Sequence, residues 1–215
     1  MRVVSEHPVE LQNPPRVFLP VKEAEKLWGF VRAVPGEING LGLVERRGND
    51  LWIEEVFILQ QSANAAHAEI DGAAFNRYIV ECDDPSKIRF QWHSHGKIGV
   101  FFSPEDRRTI SKWTGEYLIS LVVNKAGKYE CRLDIFEPIY LCLAVSLYVV
   151  VPIEEETLNF CKDEVARKVR ENWLSSKVQG LLPRRDGEYP ANDRRALALP
   201  FSAFALVGGE EADDG

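Results

Sequence analysis

Two histidines separated by one serine stand at the end of a predicted strand. His93 and His95 follow the short predicted strand Ile88–Trp92. Side chains two apart on a strand lie on the same face, so both imidazoles can reach one point. The carboxylate of Asp106 follows in the first turn of a helix that is predicted to begin after Ser103. Two neutral nitrogens and one hard oxygen suit zinc, which in catalytic sites takes three protein ligands and leaves a fourth position for water.

Each of these residues also has a structural interpretation. An isolated His-x-His pair near a strand end is about as often polar surface as a metal site. Asp106 stands three residues after Ser103, a position from which an acidic side chain closes a capping box. We expect capping and metal ligation to compete for this one carboxylate, and we favour ligation.

Zinc-dependent hydrolysis also needs a general base, because a positioned carboxylate must shuttle the proton of the attacking water. The chain has 33 acidic residues, so composition does not select one. Glu37 is our candidate, since it follows the helix-breaking pair Pro35-Gly36 and stands where a strand begins. Most acidic residues in such places are ordinary surface groups, so the residues alone leave this choice open.

The spacing of the candidate residues resembles the signature of a known family. From His93 to Asp106 the chain reads His-Ser-His, seven residues, Ser, two residues, Asp. This is similar to the signature of the JAMM (MPN+) zinc metalloproteases. The segment Glu37–Leu43 resembles the family's Glu-x-x-Gly-Leu-Leu-Leu segment. The resemblance spans roughly residues 20–175 and is strongest to the prokaryotic JAB branch.

The resemblance implies a role for each of five residues. His93, His95 and Asp106 would bind zinc. Glu37 would act as the general acid/base that also holds the water. The hydroxyl of Ser103 would help to stabilise the oxyanion of the tetrahedral intermediate. The implied fold is α/β, with a single mixed sheet flanked by helices in the MPN architecture, which is similar to that of cytidine deaminases.

The resemblance also implies a class of substrate. Family members cleave isopeptide or peptide bonds after the C-terminal Gly-Gly of ubiquitin-like proteins, and some prokaryotic relatives act on sulfur-carrier proteins. One departure bears on specificity, because Gly96 stands where many relatives have proline directly after the second histidine. Phe101 and Phe102 in the following loop either line the approach to the metal or fix the loop by packing. His7 and His67 are predicted to be surface or structural residues.

Other functions are compatible with the same residues. Metal-free relatives of this fold serve as scaffolds in larger complexes, although they have typically lost some of the ligands. A zinc amidase acting on a small molecule, or one releasing an amino acid from a carrier protein, would use the same chemistry. The HExxH motif of other zinc proteases is absent, and so is the Pro-Cys-x-x-Cys element of deaminases.

Composition limits the class of protein further. The chain has 215 residues, 45% of them hydrophobic, which suits one domain with additions. Its net charge of −7 argues against nucleic acid as a partner. Four cysteines without a Cys-x-x-Cys pair favour reduced thiols in the cytoplasm. We expect no signal peptide, because the first residues contain no apolar run. The longest uncharged apolar stretch of the chain, Ile139–Ile153, is too short to span a bilayer.

The hydrophobic pattern divides the chain into four parts. Residues 1–19 are expected to be a lead-in that supplies an edge strand at 16–19, and residues 20–152 to form the domain that the resemblance implies is catalytic. Residues 153–180 contain a helix, at about 154–177, that packs on this domain or forms a dimer surface, and residues 181–215 are a loosely held tail. Within the domain we expect helices after Pro20, at 71–81 and after Ser103, and strands at 40–46, 51–59, 88–92, 117–123, 129–136 and within 139–153.

Overall fold

A computed structural model describes residues 13–64, 67–96, 98–168 and 196–202 of the chain. In these ranges the fold is α/β, with a mixed sheet of nine strands, a separate two-stranded sheet and four α-helices. The strands are β1 Val17–Pro20, β2 Asn39–Arg47, β3 Asp50–Phe57, β4 Gln61–Ala63, β5 Ala68–Ile70, β6 Ile88–Ser94, β7 Tyr117–Val123, β8 Tyr129–Ile135, β9 Leu141–Ala144, β10 Leu147–Pro152 and β11 Ala196–Pro200. The α-helices are α1 Val21–Ala33, α2 Gly72–Glu81, α3 Pro104–Ile110 and α4 Glu155–Lys168, and a 3₁₀ turn covers Pro85–Lys87.

The large sheet curls so that its two ends meet. Its strand order is β11-β10-β1-β3-β2-β6-β7-β8-β9, and β4 pairs with β5 separately. Strands β9 and β10 lie near opposite ends of this order, yet only two residues join them. So short a connection spans no more than about 11 Å, so the ends of the sheet must be close together. In agreement, the ring of Tyr129 on β8 lies 5.0 Å from that of Phe201, which follows β11.

The main core fills the inside of this curl, with α1 packed into it. The apolar residues of α1 recur every three or four positions and are buried, as helical spacing predicts. Trp28 of α1 stacks on Phe201 at 5.6 Å, and Phe30 stacks on Trp92 of β6 at 6.2 Å. The helix ends before Pro35, as predicted. The core therefore holds β6, the strand that carries the histidine pair, from its inner face.

The two ends of the chain differ from the sequence prediction. The strand predicted at 16–19 as an edge is β1, which lies inside the sheet and runs parallel to both β10 and β3. The tail predicted to be loosely held includes β11, which pairs with β10 in antiparallel register, and Phe201 is fully buried. The prediction was therefore wrong for residues 196–202. Residues 181–195 and 203–215 of that tail lie outside the described ranges.

Helix α4 confirms the predicted helix up to Lys168, and its expected continuation to 177 lies outside the described residues. None of the described residues of α4 is fully buried, and its packing on the domain stays a prediction. Phe160 and Val165 are 62% and 51% exposed. Charged residues flank the apolar ones around the helix, which leaves the apolar stripe narrow.

None of the described helices is both long and apolar enough to cross a membrane.

Candidate metal centre

The end of β6 presents His93 and locks the start of β2 beside it. Strand β6 lies between β2 and β7, and its residues alternate between buried and partly exposed. Ser94 points inward, is fully buried and accepts the backbone N–H of Ile38 at 3.2 Å. The backbone N–H of Ser94 donates to the carbonyl of Ile38 at 2.9 Å. These two bonds fix Glu37, the residue before Ile38, next to the histidine pair.

His95 lies just beyond β6 and is oriented by its second ring nitrogen. Its backbone N–H donates to the carbonyl of Val123 at 2.9 Å. Its Nδ1 lies 2.8 Å from the carbonyl oxygen of Gly99, and a carbonyl only accepts, so Nδ1 carries the proton. The Nε2 lone pair is then free for a metal ion. A hydrogen bond from the ring nitrogen that does not bind the metal is typical of histidine ligands.

Three ligand atoms converge at this point. The Nε2 atoms of His93 and His95 lie 3.0 Å apart, and His93 Nε2 lies 3.6 Å from Asp106 Oδ1. All three ligand atoms lie within 4.8 Å of one another. Two nitrogens bound to tetrahedral zinc lie about 3.3 Å apart, which is close to the separation seen here. The predicted ligands are thus brought together as a His-His-Asp group that can bind a metal ion.

The protonation state of His93 suits a ligand. Burial lowers the pKa of His93 to about 4, although the nearby carboxylate of Asp106 acts in the opposite direction. The imidazole is therefore neutral at pH 7. A neutral ring is the form that binds metal ions, because its lone pair is not taken by a proton.

Asp106 performs two roles with its two oxygens. Its Oδ2 accepts the backbone N–H of Ser103 at 2.7 Å, while Ser103 Oγ accepts the backbone N–H of Asp106 at 3.1 Å. Together these bonds form a complete capping box at the start of α3. The other oxygen, Oδ1, faces His93. Capping uses Oδ2 and leaves Oδ1 available for a metal ion, so the two roles do not require the same oxygen.

Glu37 is brought into the same groove as the ligand group. Burial raises its pKa above the ordinary carboxyl value, and Asp106 adds to the increase, whereas His95 and His67 oppose it.

The glycine at position 40, on β2, is required by packing. A Cβ atom there would lie 2.2 Å from the indole of Trp92, so only glycine lets β2 lie against β6 at this point.

The groove over this site has a volume of about 1120 Å³. Phe101 and Phe102, in the loop before α3, were predicted either to line the approach to the metal or to fix the loop, and each has one of these positions. Phe102 is buried and packs edge-on to His93 at 6.5 Å, so it fixes the loop. Phe101 is 49% exposed, contacts the ring of His95 at 4.9 Å and lines the groove.

Sequence reasoning missed the position of His67. It lies on the groove beside the β4–β5 hairpin and acts electrostatically on Glu37. The hairpin is held over the site by a bond from the backbone N–H of Glu37 to the carbonyl of Asn64, and by one from the side-chain amide of Asn39 to the carbonyl of Ala68. These contacts are distant in sequence, and the local pattern around His67 contains no signal for them.

Gly96, the departure from the JAMM pattern, has a backbone that proline cannot adopt. Its φ is +52°, in the left-handed region, whereas proline is fixed near −65°. The carbonyl of Gly96 accepts the backbone N–H of Lys125 at 2.8 Å. The turn after the second histidine is therefore tied to the β7–β8 connection.

Comparison with known proteins gives little further information. No family model matches the chain, and no curated protein matches it. Among solved structures, it is similar to a protein of Desulfitobacterium hafniense whose solution structure is known, at 22% sequence identity and a TM-score of 0.45. That similarity covers 61% of this chain and 92% of the other. Inferences about function therefore depend on the chemistry of the site.

Proposed function

We propose that this chain is a zinc-dependent peptidase of the JAMM type. The observation that carries the proposal is the convergence of His93 Nε2, His95 Nε2 and Asp106 Oδ1, with Glu37 in the same groove. Two imidazoles with one carboxylate favour zinc over calcium or magnesium, which prefer oxygen ligands. A mixed sheet with the histidine pair at the end of an interior strand, followed by a helix that supplies the aspartate, supports the MPN architecture.

Each residue has a defined task in the proposed reaction. Zinc, when bound, supplies a Lewis acid that lowers the pKa of a water molecule to about 7. Glu37 accepts the proton of the attacking water and passes it to the leaving amine, and its raised pKa suits such a transfer. The Ser103 hydroxyl oxygen accepts a hydrogen bond from the backbone N–H of Asp106. The hydroxyl proton of Ser103 is thereby left to stabilise the developing oxyanion.

We further propose that the substrate is an extended protein tail ending in Gly-Gly, from a ubiquitin-like or sulfur-carrier protein. The groove, at about 1120 Å³, is larger than most small-molecule pockets, which favours a peptide over a small amide. Strand β6 is interior and has no free edge, but β5 pairs only with β4 among the described residues, so an extended tail can add there. Glycines allow the tail's backbone to approach the site without side-chain clashes.

The proposal is tested by metal analysis together with a cleavage assay. The full chain is loaded with zinc and offered fusions of ubiquitin-like proteins from its own genome, with Gly-Gly before the fusion partner. Mass spectrometry should locate the cut after the second glycine, and a chelator should abolish it. Glu37→Gln is the matched control, because an amide cannot take the proton but leaves the three ligands intact.

Three outcomes would contradict parts of the proposal. A chain that binds no zinc under any loading condition is not a metallopeptidase. A zinc-loaded chain that ignores every Gly-Gly fusion but hydrolyses a small amide keeps the metal chemistry and loses the substrate. Glu37→Gln activity within a few-fold of the parent would place the base elsewhere.

A further inference from the structure

The groove extends from the metal centre along one face of β6. The partly exposed residues of this strand, His93, Gln91 and Arg89, alternate with buried ones and therefore form one row. At about 3.3 Å per residue, the backbone of Arg89 lies about 13 Å from that of His93. All three line the groove. A bound extended peptide would cover this distance with about four residues.

The middle of the row, at Gln91, forms an uncharged part of the floor of the groove. The Oε1 of Gln91 accepts the indole N–H of Trp113 at 3.1 Å, and its Nε2 donates to Ser120 Oγ at 3.0 Å. Phe75 of α2 meets Trp113 edge-on at 6.5 Å across the groove. The amide of Gln91 is occupied in holding the floor together, so this stretch suits uncharged residues.

The far end of the groove is positively charged. Arg89 stands at that end of the row, and Lys112 lies two residues before Thr114, whose carbonyl accepts a hydrogen bond from Arg89. Arg108, in the last turn of α3, and Lys112, in the turn that follows this helix, both line the groove. None of the three cations belongs to an ion pair among the described residues. The metal end carries carboxylates instead, among them Glu37 and Asp106. A chain of net charge −7 thus places unpaired cations at one end of its groove.

Arg89 is pre-organised. Its Nη1 donates to the carbonyl of Thr114 at 2.6 Å. Gly115 lies directly against the guanidinium, since a Cβ atom there would be 2.3 Å from Nη2. The arginine is therefore fixed by the loop after α3 while most of its five N–H donors remain available. A fixed guanidinium with free donors suits a carboxylate.

We propose that the end of the groove formed by Arg89, Arg108 and Lys112 is a specificity subsite for a carboxylate side chain of the substrate, about four residues from the cleaved bond. This inference rests on the proposed peptidase function. It selects substrates that carry an acidic residue at that distance, on one side of the cleaved bond, over those that carry a neutral or basic one.

The test uses internally quenched peptides with a central Gly-Gly. In one series glutamate, glutamine or lysine stands four residues before the expected cut, and in a second series it stands four residues after it. The zinc-loaded full chain should cleave the glutamate peptide of one series with a kcat/KM about tenfold above its glutamine isostere, and the lysine peptide more slowly still. Added salt should reduce this preference. Equal rates for glutamate and glutamine in both series overturn the subsite.

Variants assign the preference to the named residues. Arg89→Gln should bring the glutamate-to-glutamine ratio close to one, and Lys112→Gln should lower the ratio partly without disturbing any side-chain hydrogen bond of the described fold. Arg77→Gln, an exposed cation on α2 that does not line the groove, is the matched control and should keep the parent's ratio. An unchanged ratio in both Arg89→Gln and Lys112→Gln overturns the assignment.

Binding separates the subsite from the proposed catalysis. Fluorescence anisotropy with singly labelled, unquenched versions of these peptides gives affinities on the zinc-loaded chain where it does not cleave them, and on its zinc-loaded Glu37→Gln variant where it does. A roughly tenfold tighter Kd for the glutamate peptide without any cleavage would support the subsite and contradict the peptidase proposal. Equal affinities would overturn the subsite, even if the Gly-Gly bond is cut.

Discussion

Two polar clusters each contact the Phe102 ring, and they are built in opposite ways. In one, the buried carboxylate of Asp134 accepts the guanidinium of Arg132, with Nε at 2.8 Å, and the hydroxyl of Tyr140 at 2.7 Å. Burial and the bond to Asp134 raise the pKa of Tyr140 to about 12, so the phenol remains a donor. Charge and hydrogen bonds are satisfied within this cluster. It needs no further partner.

The other cluster is the ligand group, in which electron pairs face one another. His93, His95 and Asp106 direct two lone pairs and one carboxylate oxygen to a common point, and no cationic side chain of the described residues neutralises them. Arg132 lies over the Phe102 ring at 5.2 Å, but its ion pair is with Asp134 and not with Asp106. The comparison indicates that a satisfied polar cluster stabilises the fold, whereas an unsatisfied one of this kind is suited to bind a cation.

The largest expected effect separates metal binding from folding. His95→Ala removes one of three ligands and should weaken zinc binding by about 10³-fold or more, since each ligand carries a substantial share of the binding free energy. The unfolding free energy of the metal-free form should fall by no more than about 2 kcal/mol, from the lost bond to Gly99 and lost packing. Elemental analysis and denaturant unfolding measure the two quantities.

The matched control for this prediction is His67→Ala. His67 lines the same groove but does not belong to the ligand group, so this variant should retain zinc. Stoichiometric zinc in the His95→Ala variant would remove His95 from the site.

The opposite pattern is expected for Asp134. Asp134→Ala leaves Arg132, whose side chain is only 13% exposed, without its counter-charge, which should lower the free energy of unfolding by about 3–5 kcal/mol. Zinc stoichiometry of the folded protein should be unchanged, because Asp134 and Arg132 do not belong to the ligand group. Urea unfolding of the metal-free chain and metal analysis of the folded fraction test both statements. A loss of zinc larger than the loss of stability would mean that the clusters are coupled.

Ser103 belongs to both kinds of structure and sharpens the comparison. Ser103→Ala should lower kcat by roughly 10²–10³ if its hydroxyl stabilises the oxyanion. The lost helix cap should lower the free energy of unfolding by only about 1 kcal/mol. Ser103→Thr, which keeps the hydroxyl, should retain the cap and most of the activity. Equal kcat for the alanine variant and the parent, at equal folded fraction, would limit Ser103 to capping.

The ligand group could be predicted from the sequence because its geometry is local. His93 lies near the end of β6 and His95 directly after it, so their short spacing keeps them near each other, and the cap at Ser103 starts a short helix that carries Asp106. Glu37 was different, because only the resemblance to a family selected it from the other acidic residues. Its position beside the ligands depends on the pairing of β2 with β6, which no local pattern specifies.

The errors at the chain ends have a physical cause. In β1, Val17, Phe18 and Leu19 are all buried, which is the continuous apolar run expected of an interior strand with parallel neighbours. That signal was present, but the short segment was interpreted as an edge. In β11 the small residue Ala198 points inward while Leu197 and Leu199 are exposed, so its hydrophobic pattern indicates the wrong face. Only the pairing with β10 identifies it as a strand.

The smallest expected effect concerns the stability cost of keeping Glu37 ionised. Burial raises the pKa of Glu37, so between the ordinary carboxyl pKa and the raised one the folded chain binds more protons than the unfolded chain. The free energy of unfolding therefore falls as pH rises through that window. Glu37→Gln removes this cost and should stabilise the metal-free chain at pH 7.5, by at most about 1 kcal/mol because the side chain is only half-buried and solvent screens it. The gain should disappear at pH 4, where Glu37 is largely protonated in the fold. Urea unfolding of the chelated protein at both pH values measures it, with the exposed Glu25→Gln as a control that should show no gain. An equal gain at both pH values would mean that it does not come from ionisation of Glu37.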